Sequence, residues 1–138
     1  MTRFLGVDVG SKRTGLSVGS FGIARPLTVV EVNDDDEMVA HITRIAAEEG
    51  AEEIVVGLAV SLGGGEGPAA ERQRAIARRL ETATGLAIHL WDERLTSAQA
   101  ERALTGAGVR RRERRAVVDK IAATLILQGY LDARARES

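Results

Sequence analysis

Short runs rich in Val, Leu and Ile, broken by glycine-containing turns, open the chain, and helix-spaced apolar positions follow them. "RFLGVDV" and "TGLSVGS" read as two adjacent strands joined by the turn "GSKR", and "IARPLTVVEV" as a third in which Pro26 marks an edge or a bulge. "NDDD" offers a helix start with acids at the positive end of the dipole. "MVAHITRIAAEEG" then places Met38, Ile42, Ile45 and Ala46 at helical spacing before a terminal Gly50. "EEIVVGLAV" is a nearly continuous apolar strand of the kind buried on both faces. After the loop "SLGGGEG", Pro68 suits the first turn of a helix running to about Thr84, Gly85 ends it, and "LAIHLW" is a fifth strand. "TSAQ" at 96–99 matches a capping box for a short helix stopping near "TGAG". After an arginine run, "AVVDKIAATLILQGYLDA" is apolar nearly all round, which predicts a helix covered on most sides. The expected order is strand, strand, strand, helix, strand, helix, strand, helix, helix, an α/β arrangement.

Length turns this order into one domain spanning 1–138, since 138 residues at 44% hydrophobic composition support one core and leave little room for two lobes. Aromatics are only 3%, so Val, Ile, Leu and Ala must fill the core, and stacking platforms for bases are scarce. The sequence contains no cysteine, which excludes disulfides, thiolate metal sites and a cysteine nucleophile. With no signal-like segment after Met1 and no apolar run long enough to span a membrane, a soluble protein of the reducing cytoplasm is expected.

The formal net charge of −1 conceals an uneven distribution. Acids crowd Glu31 to Glu53, whereas Arg72 to Lys120 is rich in arginine, including "RRRERR" at 110–115. One basic face is expected, suited either to nucleic acid or simply to a solvated helix flank.

Candidate chemistry rests on acids that interrupt apolar surroundings: Asp8 at the end of the first strand, Asp92 and Glu93 at the end of the fifth, and Asp119 near the start of the last helix. If the parallel strands are near neighbours, Asp8 and the Asp92/Glu93 pair emerge at the same carboxyl edge of the sheet, where open α/β folds place their sites. Carboxylates so gathered repel unless a hard divalent cation, Mg2+ or Mn2+, neutralises them, and such a site can activate water against a phosphodiester. Ordinary roles are also open: a favourable first-turn charge for Asp119, and a turn with Arg94 as salt-bridge partner for Asp92 and Glu93. Asp8, between Val7 and Val9, has no such easy account, because an unpaired buried carboxylate is costly. "GSKRTG" can cradle a phosphate with Lys12 and Arg13 but lacks P-loop spacing, and "LGGGEG" reads as a loop at the rim of the site. His41 and His89 read as structural or surface residues.

Together, "GVDVGSKRTGLSV", "VVGLAVSLGGGEG", "DERLTSAQAERAL" and "VDKIAATLILQGYLD", in this order over nearly the entire chain, resemble the YqgF/RuvX family of Holliday-junction-resolvase-like nucleases linked to maturation of the 5′ end of 16S ribosomal RNA. The resemblance implies an RNase H-like fold, a mixed five-stranded sheet flanked by helices. It also implies a metal-dependent nuclease whose acids fall on Asp8, Glu93 and Asp119, with Glu93 favoured over Asp92 because the family motif centres there. The chain departs from the family at "SVGS", where an acid commonly follows the serine, and at "GLAVSL", which lacks the usual proline after "GL".

The leading expectation is therefore a Mg2+- or Mn2+-dependent nuclease, with pre-16S rRNA as substrate ahead of branched DNA. Asp8, Glu93 and Asp119 would hold the ions and Lys12, Arg13, Arg94 and Lys120 would steer the scissile phosphate. Arg110, Arg111, Arg112, Arg114 and Arg115 would hold flanking backbone. A non-catalytic nucleic-acid-binding module for ribosome assembly is the alternative of another class. An actin-like or sugar-kinase-like ATPase, suggested by "DVGSKRTG", needs a second lobe for which the chain has little room. The family and the symmetry of a four-way junction make a homodimer attractive, though no residue in the sequence proves it.

Overall fold

Gly10 and the two residues after it turn the chain so sharply that the first two apolar runs pair edge to edge in one sheet. In the computed structural model, which describes residues 1–61, 63–93 and 111–137 (side chains of 111–118 excepted), β1 (Phe4–Val9) lies antiparallel to β2 (Arg13–Ser20), with Asp8 opposite Gly15. β2 pairs antiparallel with β3 (Ile23–Glu31). The register runs from Leu16↔Thr28 to Ser17↔Pro26, so Leu27 is the extra residue of a bulge beside Pro26 on an edge strand. Both readings of Pro26 hold, because an edge bulge is where a missing N–H costs no ladder bond.

The remaining strands are parallel to β1. β4 (Glu53–Leu58) pairs with β1 and β5 (Ala87–Asp92) pairs with β4, giving a sheet of order β3-β2-β1-β4-β5. The expected mixed five-stranded sheet is present, and β4, the continuous apolar run, is an interior strand with Ile54 to Val56 fully buried. α1 (Asp35–Glu49) is capped by Asp34, which accepts from the Glu37 N–H at 2.8 Å, and it ends at Gly50 in the left-handed region (φ 67°). α2 (Pro68–Thr84) starts with Pro68 in its first turn. Both helices bury Met38, Ile42, Ile76 and Leu80 against Leu5, Val7, Leu16, Ile54 and Val56 on one face of the sheet.

The other face receives α3 (Arg111–Glu137). Alternate residues of β1 and β2 on this side are Gly6, Gly15, Ser17 and Gly19, so the helix lies almost on the sheet backbone. A Cβ on Gly15 would fall 2.0 Å from the Asp119 carbonyl oxygen, and one on Gly6 would fall 2.9 Å from the Leu127 Cβ. Ser17 Oγ fastens the seat by donating to the Ala123 carbonyl at 2.8 Å. Two expectations for this helix are corrected. It is buried along one stripe (Ala122, Ala123, Ile126, Leu127, Leu131), with Ile121, Thr124 and Leu125 only half-buried, because one sheet covers one face. Residues 111–115 of the arginine run also lie inside the helix rather than before it, so Asp119 is the ninth residue of α3, roughly two turns in. A dipole effect fades within the first turn, which removes the helix-start account of Asp119. The short helix expected after "TSAQ" lies outside the described residues. Among those described, no helix is long and apolar enough to cross a membrane.

Candidate functional site

Strand alternation decides which side of the sheet each acid takes. Asp8 follows Phe4 and Gly6 onto the α3 face. Glu93, one residue beyond β5, extends the β4–β5 ladder by donating its N–H to the Leu58 carbonyl at 3.1 Å. A Cβ on Gly57, in the strand between them, would fall 2.6 Å from Glu93 Oε2 and 2.5 Å from Ile126 Cδ1. Glycine there is what lets the Glu93 side chain fold inward over β4 towards Asp8.

The two carboxyl groups share a hydrogen bond, and Asp8 is pushed up to about 8, first by burial, then by the charge of Glu93 and that hydrogen bond, and last by the charge of Asp119. At neutral pH and without a cation, Asp8 therefore keeps its proton. No fixed donor reaches the buried Oε2 of Glu93. The Asp8 proton is the one at hand to satisfy it.

Gln73, buried in α2, holds Glu93 from the other side: Nε2 donates to Glu93 Oε1 at 3.1 Å while Oε1 accepts from the Ala59 N–H at 2.6 Å. Sequence reasoning missed this residue. Its signal was a lone amide in the stripe Ala70, Gln73, Ile76, Ala77, Leu80 that α2 buries. Arg72, also missed, donates from Nη1 to the Gly10 carbonyl at 2.6 Å and from Nη2 to Asp35 at 2.8 Å, bracing the turn after β1 against α1. The Arg72 guanidinium in turn holds the Asp35 carboxyl below the usual carboxylate range.

Asp119 comes near enough for its charge to act on Asp8, but its Oδ2 is paired to Arg13 Nε at 3.1 Å. Lys12, Arg13 and Asp119 line a pocket of about 490 Å³ together with Gly10, Ser11 and Glu31. The structure thus joins Asp8 to Glu93 and sets Asp119 beside them in the grip of Arg13. Among the described residues, no three acidic or histidine side chains form a ready cation cage. Lys120 is half-buried next to Asp119, and Arg111, Arg112, Arg114 and Arg115 belong to the first turns of α3. Arg94 and Arg110 lie outside the described residues. Asp92, the last residue of β5, is exposed.

The donor set suits a hard divalent cation in part. Asp8 and Glu93 offer oxygen ligands, one of them lacking a donor, and their repulsion is what such an ion relieves. A third ligand from Asp119 requires exchange of its Arg13 contact.

A mixed sheet of this order with helices on both faces is an RNase H-like α/β fold. The chain belongs to the RuvX family, whose model, described as Holliday junction resolvase, matches residues 2–133. It is 43% identical over 132 residues to a protein of Moorella thermoacetica named "Putative pre-16S rRNA nuclease", covering 94% of each chain. A relative of the same name from Anaeromyxobacter dehalogenans is 44% identical over 135 residues, covering 96% of this chain and 98% of that one. Among solved structures, T. thermophilus RuvC in complex with Holliday junction substrate matches with a TM-score of 0.63 at 18% identity, over 100% of this chain and 98% of that one. The fowlpox virus Holliday junction resolvase matches at 0.59 and 9% identity, over 96% and 99%. At such identities these two likenesses speak for the fold, and the sequence relatives for the nuclease.

Proposed function

We propose that this chain hydrolyses phosphodiester bonds at the 5′ end of pre-16S rRNA, with Asp8 and Glu93 holding a divalent cation, Mg2+ or Mn2+, and Asp119 completing the site. The carrying observation is the meeting of Asp8 and Glu93 with the buried Oε2 of Glu93 lacking a donor. The names of the curated relatives supply the substrate.

A bound divalent cation supplies a water of lowered pKa and charge neutralisation at the leaving oxygen. The chain's own residues do the rest. Asp8 gives up its proton on loading, so cation affinity rises with pH. Gln73 keeps Glu93 from swinging out of the site. Lys12 and Arg13 meet the phosphate in the pocket they line, and drawing Arg13 to that phosphate loosens one hold on Asp119. Arginines in the first turns of α3 are unfavourable against the helix dipole, and flanking phosphates at this end would offset that cost.

The test is cleavage of a labelled pre-16S rRNA 5′ fragment beside a four-way DNA junction, in Mg2+, Mn2+ and chelator, by wild type and Asp8→Asn. Metal-dependent cutting of the RNA, lost in the variant, is expected. Cutting of the junction alone would move the activity to DNA recombination. Binding without cutting in any metal would leave a non-catalytic assembly module.

A further inference from the structure

The chain has only four aromatic residues (two Phe, one Trp, one Tyr), and three of them meet at one place. Tyr130 of α3 stacks on His89 of β5 (centroids 4.9 Å, 28° between planes), meets Trp91 edge-on at 6.1 Å and tilts against Phe4 at 5.8 Å. The guanidinium of Arg134 lies 5.2 Å over the Phe4 ring and donates to the Tyr130 hydroxyl at 3.1 Å and to Glu53 at 3.2 Å. Glu53 also pairs with His89 Nε2 at 2.6 Å. Phe4, Trp91 and Tyr130 also pack with the buried cluster of Val55, Ile126, Leu127 and Leu131, so apolar packing and this polar frame together fix the rings.

Beside them opens a cleft of about 280 Å³ lined by Trp91, Tyr130, Ala133, Arg134 and Glu137. Drug-sized ligands occupy pockets from roughly 300 Å³ upward, so this one suits a single planar ring system. Its place matters more than its size. Trp91 stands two residues before Glu93 on the same face of the same chain segment, about 7 Å along the strand. A strand that leaves Glu93 and runs back along β5 reaches this cleft, whose far wall, Arg134, contacts Phe4 and Glu53 at the starts of β1 and β4.

We propose that the Trp91–Tyr130–Arg134 cleft is a stacking subsite for one unpaired base of the nucleic-acid strand held at Asp8 and Glu93. Every base offers a π-face to an aromatic wall, and a fixed guanidinium stacks on bases and attracts phosphate, so the subsite accepts any sequence but requires an unpaired strand. It would select single-stranded flanks over continuous duplex. The inference rests on the nuclease reading above for the path of the strand.

Trp91 is the chain's only tryptophan, so its fluorescence reports the cleft directly. An oligoadenylate of about 10 nucleotides is titrated into the protein in chelator, followed by Trp91 emission and, with an end-labelled copy, by anisotropy; a blunt RNA duplex is the control. Saturable quenching by the single strand and none by the duplex is expected. Tyr130→Leu should weaken single-strand affinity about 5- to 100-fold. Ala133→Glu, which fills the cleft from a helix position that tolerates Glu, should abolish quenching with the fold intact by circular dichroism. Anisotropy that shows binding with Trp91 emission unchanged overturns the proposal and leaves the nuclease reading standing, as does unaltered affinity in Ala133→Glu. Absence of single-strand binding overturns it too. Quenching in a protein that cuts nothing in any metal keeps the cleft and removes the nuclease.

Discussion

Asp8→Asn should make the cation-free protein more stable at neutral pH while destroying its activity. Asp8 is pushed up to about 8 in the fold, whereas in the unfolded chain it titrates near its ordinary 3.8. Between those values the folded state holds a proton that the unfolded state has lost, so stability falls as pH rises, by about 1.4 kcal/mol per pH unit. This contribution is fully present below about pH 4 and lost as pH climbs to about 8. From about pH 5 to about pH 7 the wild type should lose up to roughly 3 kcal/mol relative to Asp8→Asn. Sharing of the proton with Glu93 and entry of water would bring this nearer 1–2 kcal/mol. Asparagine neither titrates nor repels Glu93, and its amide can donate to the orphan oxygen. The assay is urea unfolding of both proteins in chelator at three or four pH values. The midpoints should diverge with rising pH, the variant ahead, and saturating Mg2+ should close the gap by stabilising the wild type alone. Parallel curves across the pH range would refute a buried, protonated Asp8.

Gln73→Ala removes both hydrogen bonds that tie α2 to Glu93 and Ala59. It should cost about 1–3 kcal/mol in urea unfolding, and lower the cleavage rate more than it weakens RNA binding, since Glu93 loses its brace. Gly15→Ala sets a methyl against the Asp119 carbonyl and should cost about 2–4 kcal/mol by thermal unfolding, displacing α3 from its seat. Phe21→Asn should do the reverse. Phe21 sits at φ 55° in the β2–β3 turn, 73% exposed, and asparagine before Gly22 suits that turn at little loss of packing, for a gain of about 1 kcal/mol in the same measurement.

Much of the fold was legible because its elements carry local signals: Asp34 and Gly50 around α1, Pro68 and Gly85 around α2, and the apolar run of β4. The start of α3 was not, since the mostly like-charged residues 111–115 look like a loop or tail and give no capping signal, while the helix runs through them. Asp8 and Glu93 stood out as acids in apolar surroundings, and their meeting depends on the β1-β4-β5 order and on Gly57, neither of which is written locally. The Arg13 contact of Asp119 and the supports from Gln73 and Arg72 cross between elements, so no spacing rule reveals them. The aromatic cleft was hidden for the same reason, because a composition of 3% says nothing about gathering.

The central claim is that Asp8 and Glu93 together hold a divalent cation, and calorimetric titration of Mn2+ into the nucleic-acid-free protein tests it most directly. Wild type should bind with release of a proton near neutral pH, and Asp8→Asn and Glu93→Gln should each lose at least about tenfold in affinity. Equal Mn2+ binding by all three proteins would contradict the account.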